Sequence, residues 1–434
     1  MQVVVALPPV EEINVLDTPV CGVPLLVRVI ATVLRSGGTR VLIVRPPGLS
    51  RDGLRDHLLS PAIDPARIET AQVAAPFDPR EPDNWSAIAP RLDAQFLWVP
   101  CDYVVHKTAL LELLTAAATF PYSGVRFSGV ADSGPDKRVF ERPTVFRKDD
   151  LIEGRSAAFE VVSLPGQPGV SLRSPATVKH AEADLVCRSG KATDGIYSRF
   201  NRKLCRPAVR WLSRTRVTPN AVSFGGLAVA AVAGICFAHG SWPLDVAGAL
   251  LFFVSGLFDE IDGMLARLKF QESAFGCWLE TGVDYTTYLL VFAGMTIGGY
   301  RRDGVVYLLL GAALLFGSVL SFIVISVQRK LAAPPGRPNE YSQRYLAALD
   351  RDAGNPISRA VRQLQFLTKK GVLVHYLLLF AVLGLLPLFL FLAAFGANVA
   401  WMVTIYFNRR LFLPRPSGRT KTASRRVLPA EVEK

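Results

Sequence analysis

The stretch FDEIDGMLARLKFQESAFGCWLETGVDYTTY, residues 258–288, lies between two runs of apolar residues that are each long enough to cross a bilayer. Four carboxylates stand at or near the ends of those runs: Asp259, Asp262, Glu280 and Asp284. Ionisable side chains at membrane depth are costly and rare, so they mark a functional site. The stretch therefore predicts a helical membrane domain and the place of its chemistry.

The spacing of these acids predicts two helical stripes. On a helix, Asp259 and Asp262 share a face, and Gly263 and Ala266 lie on the same side. The second stripe holds Gly276, Glu280 and Asp284. Two helices joined by a short loop would direct these stripes toward each other, and the small residues would leave room for a ligand or a neighbouring helix.

Four carboxylates in a small space repel one another, and a divalent cation relieves that repulsion. Oxygen ligands with room for water and substrate phosphate favour Mg²⁺ or Mn²⁺ over zinc. The alternative is that these acids are solvated groups at helix ends, or partners of Arg267 and Lys269. Two pairs of carboxylates, each with a small residue beside it, favour the metal site.

The stretch resembles the signature of the CDP-alcohol phosphotransferases, which has the form DxxDGxxAR, eight residues, and then GxxxDxxxD. Here the defined positions hold Asp259, Asp262, Gly263, Ala266 and Arg267, and then Gly276, Glu280 and Asp284. Seven of the eight positions match without a gap, and the exception is Glu280, where the family has aspartate. The likeness extends over roughly residues 195–407.

The resemblance implies a reaction in which a substituted phosphate passes from a CDP-linked donor to an alcohol and CMP is released. It implies that Asp259, Asp262 and Glu280 hold the metal, and that Asp284 is the general base for the acceptor hydroxyl. The implied substrate-binding residues are Gly263, Ala266, Arg267 and Gly276. The extra methylene of Glu280 moves its carboxylate by about 1 Å or more, which leaves a shifted metal geometry, a different acceptor or a weakened enzyme as open alternatives.

Residues 1–185 predict a soluble α/β domain with a parallel sheet. The strand-like runs MQVVVAL and TRVLIV flank the helical pattern GVPLLVRVIATVLRSG, and AQFLWVP follows as a later strand. This order resembles the sugar-nucleotide nucleotidyltransferases, in which the position of Asp102 helps to hold metal and nucleotide. The whole chain is similar to fusions of inositol-phosphate cytidylyltransferase with di-inositol-phosphate phosphate synthase.

The first strand is followed by LPPVEEINV instead of the glycine-rich phosphate loop of that family. Pro8 and Pro9 donate no N–H, and Glu11 and Glu12 would repel phosphate. We therefore expect this domain to be inactive, with Asp102 as a vestige of the nucleotide site, and to serve as a scaffold, an oligomerisation surface or a regulator.

Residues 186–217 predict a basic amphipathic segment on the membrane surface. Its apolar residues recur at helical spacing: Ile196, Phe200, Leu204, Ala208 and Trp211 or Leu212. Its basic residues fall on the opposite side: Arg199, Arg202, Lys203, Arg206 and Arg210. Pro207 is expected to divide the segment into two short helices. Arg199, Arg202 and Lys203 are candidates to bind a phosphate on the acceptor, and attachment to anionic lipid alone is the alternative.

Residues 218–407 predict an all-α transmembrane domain of six spans, at roughly 219–238, 244–259, 283–299, 304–327, 371–386 and 387–407. The junction, the 328–370 loop and the tail 408–434 are basic and fall on one side, which predicts that side to be cytoplasmic. Arg301 and Arg302 in an opposite turn weigh weakly against this orientation. The N-terminal domain, which begins without the features of a secretory signal, the site and the tail would then lie inside an inner or plasma membrane.

The chain has a net charge of +13, and its basic segments adjoin the predicted spans. We expect these segments to contact anionic membrane lipid, and we expect no nucleic-acid partner. The donor would be CDP-diacylglycerol or a soluble CDP-alcohol, and the acceptor a lipid or a phosphorylated polyol such as inositol phosphate or glycerol phosphate. Pairing into a homodimer is a further expectation. Two other classes stay open: a non-catalytic membrane scaffold with the same fold, and a transporter. The transporter is the less favoured, because it needs groups of polar residues within several spans, and those present, such as Ser318 and His375, are isolated.

Overall fold

The computed structural model describes residues 1–50, 52–127, 139–153, 159–162, 169–172, 174–190, 195–332 and 370–407. The chain divides into two compact units. The first consists of Met1–Gly226 and Gly256–Ser273, and the second of Leu227–Ser255 and Ala274–Lys434. Most of the basic loop predicted at 328–370, and the tail 408–434, lie outside the described residues, so the charges there stay predictions.

The first unit contains an α/β domain. Its strands are β1 Gln2–Ala6, β2 Pro19–Val20, β3 Val23–Pro24, β4 Arg40–Arg45, β5 Ile68–Gln72, β6 Gln95–Trp98, β7 Tyr103–Val105, β8 Gly124–Phe127, β9 Thr144–Arg147, β10 Phe159–Val162 and β11 Gly169–Ser171. Its helices are α1 Leu25–Arg35, α2 Arg55–Leu58, α3 Pro82–Ile88, α4 Lys107–Thr119, α5 Lys148–Ile152 and α6 Pro175–Arg188. The α/β fold predicted from the sequence for this part of the chain is thereby confirmed.

The central sheet has seven strands in the order β10-β8-β9-β6-β1-β4-β5. Parallel pairs surround β1, which pairs with β4 and β6, while β9 runs antiparallel to β6 and β8. The sheet is therefore parallel at its centre, as expected, with one antiparallel strand that the sequence pattern did not indicate.

Both faces of this sheet are buried. Val3 and Val5 of β1 pack in one apolar cluster with α1 and α4, whereas Val4 and Ala6 pack in another with Trp85 of α3. Because neighbouring side chains of a strand point to opposite faces, a strand covered on both sides consists of apolar residues throughout.

Helix α7, Ile196–Ser213, follows the domain as one continuous helix. The prediction that Pro207 divides it is wrong. A proline inside a helix removes one hydrogen bond, but Cys205 and Val209, on either side of Pro207, are both buried in an apolar cluster with Ile261 and Met264. That packing holds the two halves in line.

Six long helices follow within the described part of the chain: α8 Pro219–His239, α9 Trp242–Leu268, α10 Ala274–Asp303, α11 Val305–Ala332, α12 Lys370–Val382 and α13 Leu386–Phe407. The chain forms two helices, α12 and α13, where the sequence predicts spans at 371–386 and 387–407. The break lies at Gly384, whose φ of 68° suits glycine, and Pro387 falls in the first turn of α13, where a missing N–H costs little.

Three helices among the described residues are long and apolar enough to cross a membrane: Pro219–His239, Val305–Leu331 and Leu386–Tyr406. The chain is thus a membrane protein. Helices α9 and α10 have 27 and 30 residues but carry the motif acids, and α12 includes the shorter apolar stretch Gly371–Val382. The predicted number of six spans is not established by length and composition.

Candidate functional site

The first half of the motif lies on the last turns of α9, in the first unit. Ile261, Met264 and Leu265 are buried in the apolar cluster that also contains Val209 and Val222. This packing fixes the rotation of the helix and so the face that carries Asp259 and Asp262. Asp259 is half-buried and Asp262 is only 6% exposed.

Ser223 positions the carboxylate of Asp262. Its Oγ donates a short hydrogen bond to Oδ2 of Asp262 and lies 3.3 Å from the carbonyl oxygen of Pro219. Ser223 is in the first turns of α8 and is itself buried. A buried carboxylate needs such a donor, because an unpaired one loses its hydration without compensation. The Asp262 side chain is therefore held in one orientation by a neighbouring helix.

A second contact joins α7 to the same turn of α9. Nε of Arg202 donates to Oε2 of Glu260 at 2.7 Å, and each side chain is 11% exposed. Removing either partner would leave the other charge buried and uncompensated. Of the three basic residues predicted to bind an acceptor phosphate, Arg202 is thus engaged with the motif helix, while Arg199 and Lys203 are exposed.

Helix α7 presents a row of apolar side chains at its surface, with Ile196, Phe200, Leu204 and Trp211 all exposed. A third side of the helix is buried and includes Asn201 and Cys205. Burial raises the pKa of the Cys205 thiol to about 12. The helix therefore has an exposed apolar row, and Arg202 lies on its buried side and not on the predicted basic side.

Gly263 and Arg267 lie side by side on α9. A Cβ atom on Gly263 would meet the Arg267 guanidinium at 3.4 Å and nothing closer. Nε of Arg267 donates to the carbonyl oxygen of Ser189 at 2.7 Å, just beyond the end of α6. Packing against the described residues therefore does not require glycine at 263.

Helix α9 ends in a turn that glycine usually makes. Phe270 has a φ of 57°, and the amide of Gln271 donates to the carbonyl oxygen of Ala266 at 2.9 Å, the pattern of a Schellman motif. A side chain in this left-handed region costs about 1–2 kcal/mol. The surroundings of Phe270 must offset that cost.

Those surroundings come largely from α1. The guanidinium carbons of Arg28 and Arg35 lie 5.1 and 5.0 Å from the centre of the Phe270 ring. Nη2 of Arg28 donates to the carbonyl oxygen of Leu268 at 2.7 Å, and Nη2 of Arg35 to that of Phe270 at 2.9 Å. Burial lowers the pKa of Arg28. Nζ of Lys269 donates to the carbonyl oxygens of Thr215 and Val217, at 2.7 and 2.8 Å, and burial lowers its pKa.

The second half of the motif lies on α10, in the second unit. Gly276, Glu280 and Asp284 are spaced by four residues along this helix, as predicted, and all three are half-buried. Beside them, Nη1 of Arg329 on α11 donates to Oγ1 of Thr281 at 2.5 Å, and its guanidinium lies 5.7 Å from the centre of the Trp278 ring. A cation therefore stands next to this stripe.

Asp259 and Asp262 belong to the first unit, and Glu280 and Asp284 to the second. Within the described parts of the chain, no three His, Cys, Asp or Glu side chains form a cluster that could hold a metal ion. The donor chemistry nevertheless fits a divalent cation: the motif supplies only carboxylate oxygens, and Asp262 is already held by Ser223. The fit rests on the donor set.

Asp102, the predicted vestige of a nucleotide site, follows β6. Its Oδ2 accepts a hydrogen bond of 2.6 Å from Oγ of Ser171. The adjacent Cys101 thiol has its pKa raised to about 12 by burial. The segment after β1 is a 3₁₀ helix, Val10–Asp17, with Glu11 and Glu12 in its first turn. Two acidic side chains therefore stand at the start of the segment that follows the first strand.

Comparison with known proteins finds a family match in the second half of the chain. Residues 216–349 match the family model described as CDP-alcohol phosphatidyltransferase. Over 100 residues the chain is 31% identical to archaetidylinositol phosphate synthase from Methanothermobacter thermautotrophicus. The aligned segment covers 22% of this chain and 50% of that protein. The chain thus spans about half the length of this relative.

Among solved structures, the chain is similar to 4-diphosphocytidyl-2C-methyl-D-erythritol synthase from Anaerococcus prevotii. The identity is 14% and the TM-score 0.32, over 42% of this chain and 97% of that one.

Proposed function

We propose that this chain, which carries a CDP-alcohol phosphatidyltransferase domain over residues 216–349, transfers a substituted phosphate from a CDP-linked donor to an alcohol and releases CMP. Both halves of the acidic motif lie inside the matched segment. The orientation of Asp262 by Ser223 is the observation that carries the proposal, because a solvated acid at a helix end would need no such partner. The reaction serves the synthesis of phospholipids or their polar headgroups.

Asp284 is the proposed general base. The acceptor hydroxyl gives its proton to the Asp284 carboxylate while its oxygen attacks the β-phosphorus of the donor. The bond from that phosphorus to the bridging oxygen breaks, and CMP leaves with the electron pair. Arg267 would contact phosphate, and Gly263, Ala266 and Gly276 would leave room for the donor.

Asp259, Asp262 and Glu280 are the residues proposed to hold Mg²⁺ or Mn²⁺. When bound, the metal would neutralise charge on the pyrophosphate and on the departing CMP. Glu260 is kept apart from this set by its ion pair with Arg202. That pair leaves Asp259 and Asp262 as the acids of α9 that are assigned to the cation.

The acceptor is proposed to be a phosphorylated polyol, with inositol phosphate first. Two observations support this choice: the matched relative is named for an archaetidylinositol phosphate product, and Arg199 and Lys203 are exposed cations on α7. The donor would carry a lipid, as CDP-diacylglycerol does. Glycerol phosphate is the second acceptor to test.

All six helices from α8 to α13 are proposed to cross the membrane, with the α/β domain, the motif and the tail in the cytoplasm. Helices α9 and α10, at 27 and 30 residues, are longer than the ~20 residues that a crossing needs. The opposing charges at 301 and 302 are partly neutralised, since Nη1 of Arg302 donates to Oδ2 of Asp245 at 3.0 Å. Labelling of single cysteines placed at residues 240 and 304 from the outside tests this topology, as does labelling at residue 271 from the inside.

The reaction is tested by CMP release from the purified full-length protein with Mg²⁺ or Mn²⁺, CDP-diacylglycerol and a panel of polyol phosphates. We expect CMP only with metal, stimulation by one acceptor, and a loss of about 10²–10⁴-fold in Asp284→Asn. Asp262→Asn should lose activity as well. Asp303→Asn is the matched control for Asp284→Asn, because Asp303 is an acid of the same helix, α10, outside the motif.

A membrane scaffold with the same fold is the second candidate, and Glu280 is the observation in its favour. If the wild type released no CMP with any pair of substrates, Glu280→Asp would restore the family's residue. Activity in that variant would identify a weakened enzyme, whereas continued silence would support the scaffold. A homodimer remains a prediction that light scattering in detergent tests.

A further inference from the structure

We propose that Arg28, in the α/β domain, is a positioning residue for the phosphotransfer site: it fixes the C-terminal end of α9 and with it the carboxylates of Asp259 and Asp262. This inference rests on the proposed function for the reaction it serves. It gives the domain without a phosphate loop a direct part in that reaction.

Arg28 bridges two segments of the first unit. Its Nε and Nη2 donate to the carbonyl oxygen of Val20 at 3.0 and 2.8 Å, and Nη2 also donates to that of Leu268 at 2.7 Å. The side chain is only 4% exposed. Leu268 is the last residue of α9, so its carbonyl is one that the helix itself leaves without a partner. A cation at this end of a helix is also favoured by the helix dipole.

The turn after Leu268 is held by the same helix, α1. The Phe270 ring lies between the Arg28 and Arg35 guanidinium groups, and Arg35 also binds the Glu272 carboxylate through Nη1 at 2.5 Å. Phe270 packs against the apolar core of the α/β domain. These contacts stabilise a left-handed turn that phenylalanine rarely makes.

Two further anchors surround the turn. Lys269 binds the carbonyl oxygens of Thr215 and Val217, between α7 and α8, and Arg267 binds that of Ser189 after α6. The end of α9 is therefore attached to three segments of the first unit. Arg28 is the anchor that is fully buried and that bonds directly to the last carbonyl of the helix.

The consequence for the reaction follows from distance along the helix. Asp262 is less than two turns from Leu268, and Asp259 less than three. Movement of the helix end would shift both carboxylates, and a misplacement of about 1 Å can lower a rate by about 10²-fold. Weaker metal binding is the expected first sign, because both carboxylates are assigned to the metal.

Arginine is needed here because its rigid fork reaches two carbonyls at once, whereas lysine is a single point charge on a flexible stem. Arg28→Met removes the donors and keeps much of the packing. Arg28→Lys keeps the charge and should recover part of the loss. Arg45→Met is the matched control, since Arg45 lies in the same domain and its Nη1 donates to a backbone carbonyl, that of Leu49, at 2.8 Å.

The experiment measures amide hydrogen exchange in residues 266–272, Mn²⁺ binding by electron paramagnetic resonance, and CMP release as a function of Mn²⁺, all on the full-length protein. In Arg28→Met we expect the amides of 269–271 to exchange at least about tenfold faster and Mn²⁺ to bind about tenfold more weakly. The donor KM at saturating metal should stay unchanged. Unchanged exchange and unchanged Mn²⁺ binding in a folded Arg28→Met protein would overturn the proposal.

Arg35→Gln tests the same turn from the surface of the domain, where the side chain is 28% exposed and its loss does not bury a charge. It should increase exchange in the same amides by a smaller factor. If Arg28→Met failed to fold, unchanged exchange and Mn²⁺ binding in Arg35→Gln would overturn the proposal instead. Exchange and Mn²⁺ binding need no turnover, so a wild type that releases no CMP would contradict the proposed function and leave this test intact.

Discussion

At position 263, helix stability would favour alanine, whereas the proposed reaction is expected to need glycine. A Cβ atom added to Gly263 would have atoms of the flexible Arg267 side chain as its nearest neighbours. Alanine stabilises a helix interior by roughly 0.5–1 kcal/mol relative to glycine. The glycine is therefore expected to serve a ligand.

We predict that Gly263→Ala raises the free energy of unfolding by about 0.5–1 kcal/mol and lowers CMP release by about 10²-fold, because the methyl group enters the donor site. Thermal unfolding and turnover of the same preparation check both parts. Gly396→Ala, at a helical glycine with no atom within 4 Å of an added Cβ, should gain stability without losing activity. Equal activity of Gly263→Ala and wild type would contradict the assignment.

Ser223 is predicted to act through Asp262. Removing the hydroxyl in Ser223→Ala should lower activity by roughly 10–100-fold, as losses of residues that orient metal ligands do. Ser223→Thr keeps the hydroxyl and should retain more activity. A shift in the Mn²⁺ concentration for half-maximal activity is the decisive measurement, and no shift in the alanine variant would remove Ser223 from the site.

The shared helix face of Asp259 and Asp262 could be predicted from the sequence, because helical spacing alone places them there. Their partners could not. Ser223 and Arg202 reach the motif helix from 39 and 58 residues away in the chain. Ser223 stands in TPNAVS, residues 218–223, and the sequence pattern of this segment does not indicate which acid the hydroxyl binds.

At the scale of elements, the turn after α9 sets two effects of Phe270 against each other. Glycine at this position would relieve about 1–2 kcal/mol of backbone strain. It would also remove the contacts with two guanidinium groups, worth about 0.5–1 kcal/mol each or more when desolvated, and the burial of the ring, worth about 1.5–3 kcal/mol for a fully buried side chain. The losses are larger, although Phe270 is only partly buried.

We therefore predict that Phe270→Gly destabilises the protein by roughly 1–2 kcal/mol, despite the relief of strain. Thermal unfolding of the full-length protein measures this change. Phe270→Asn, which tolerates the left-handed conformation but lacks the ring, should fall on the same side of wild type. Stabilisation by glycine would show that the arginines do not bind the ring.

His106 joins α4 to α6. It is buried at the start of α4, and its Nε2 lies 2.5 Å from Oδ2 of Asp184. Burial lowers the pKa of His106 more than Asp184 raises it. Burial also opposes the charge on Asp184, but the hydrogen bonds from His106 and Arg188 outweigh it and hold the pKa of that carboxyl below its usual range. The folded state thus favours a neutral imidazole beside an ionised carboxylate.

Because the folded pKa of His106 is below the unfolded value of about 6.5, the unfolded chain binds the proton more readily. Stability should therefore fall as pH decreases below about 6.5 and level off below the folded pKa. His106→Gln should flatten this dependence in thermal unfolding between pH 7.5 and 5.5. His180→Gln, an exposed histidine of α6, is the control that should keep the slope.

The elements that could not be predicted depended on packing at long range. Strand β9 is short and partly apolar, like the other strands of the sheet. Only its pairing with β6 and β8 reveals that it runs antiparallel to them. Helix α7 continues through Pro207 because the side chains on its buried side are anchored by α9. In both cases local preference was overruled by tertiary contacts.

At the scale of the molecule, the boundaries of the family match and of the structure differ. The family model begins at residue 216, whereas the first half of the motif packs in the unit that starts at Met1. Cys21 and Val186 of the α/β domain share an apolar cluster with Met264 and Leu268 of α9. The segment that matches the family model therefore does not include all the residues against which its helix α9 packs.

We predict that residues 195–434 expressed alone insert into membranes but lose at least about 10²-fold in CMP release, because the end of α9 has lost its anchors. Turnover of the fragment and of full-length protein in the same detergent provides the comparison. Cleavage at an inserted protease site near residue 192, which leaves both parts in place, should cost much less. Full activity of the fragment would exclude a part for the α/β domain in the reaction.

The division of the chain also sets an order of events during synthesis. Gly256–Ser273 completes the first unit, yet Leu227–Ser255, which belongs to the second, must be made before it. At about 5–20 residues per second, the ribosome takes a few seconds to cover this interval, during which Arg28 lacks its acceptor on Leu268. The first unit can reach its native state only after α8 and α9 have both been made. A chain that fails to insert into the membrane thus leaves its α/β domain without the end of α9 and open to proteolysis, so we expect failed insertions to be degraded through this domain.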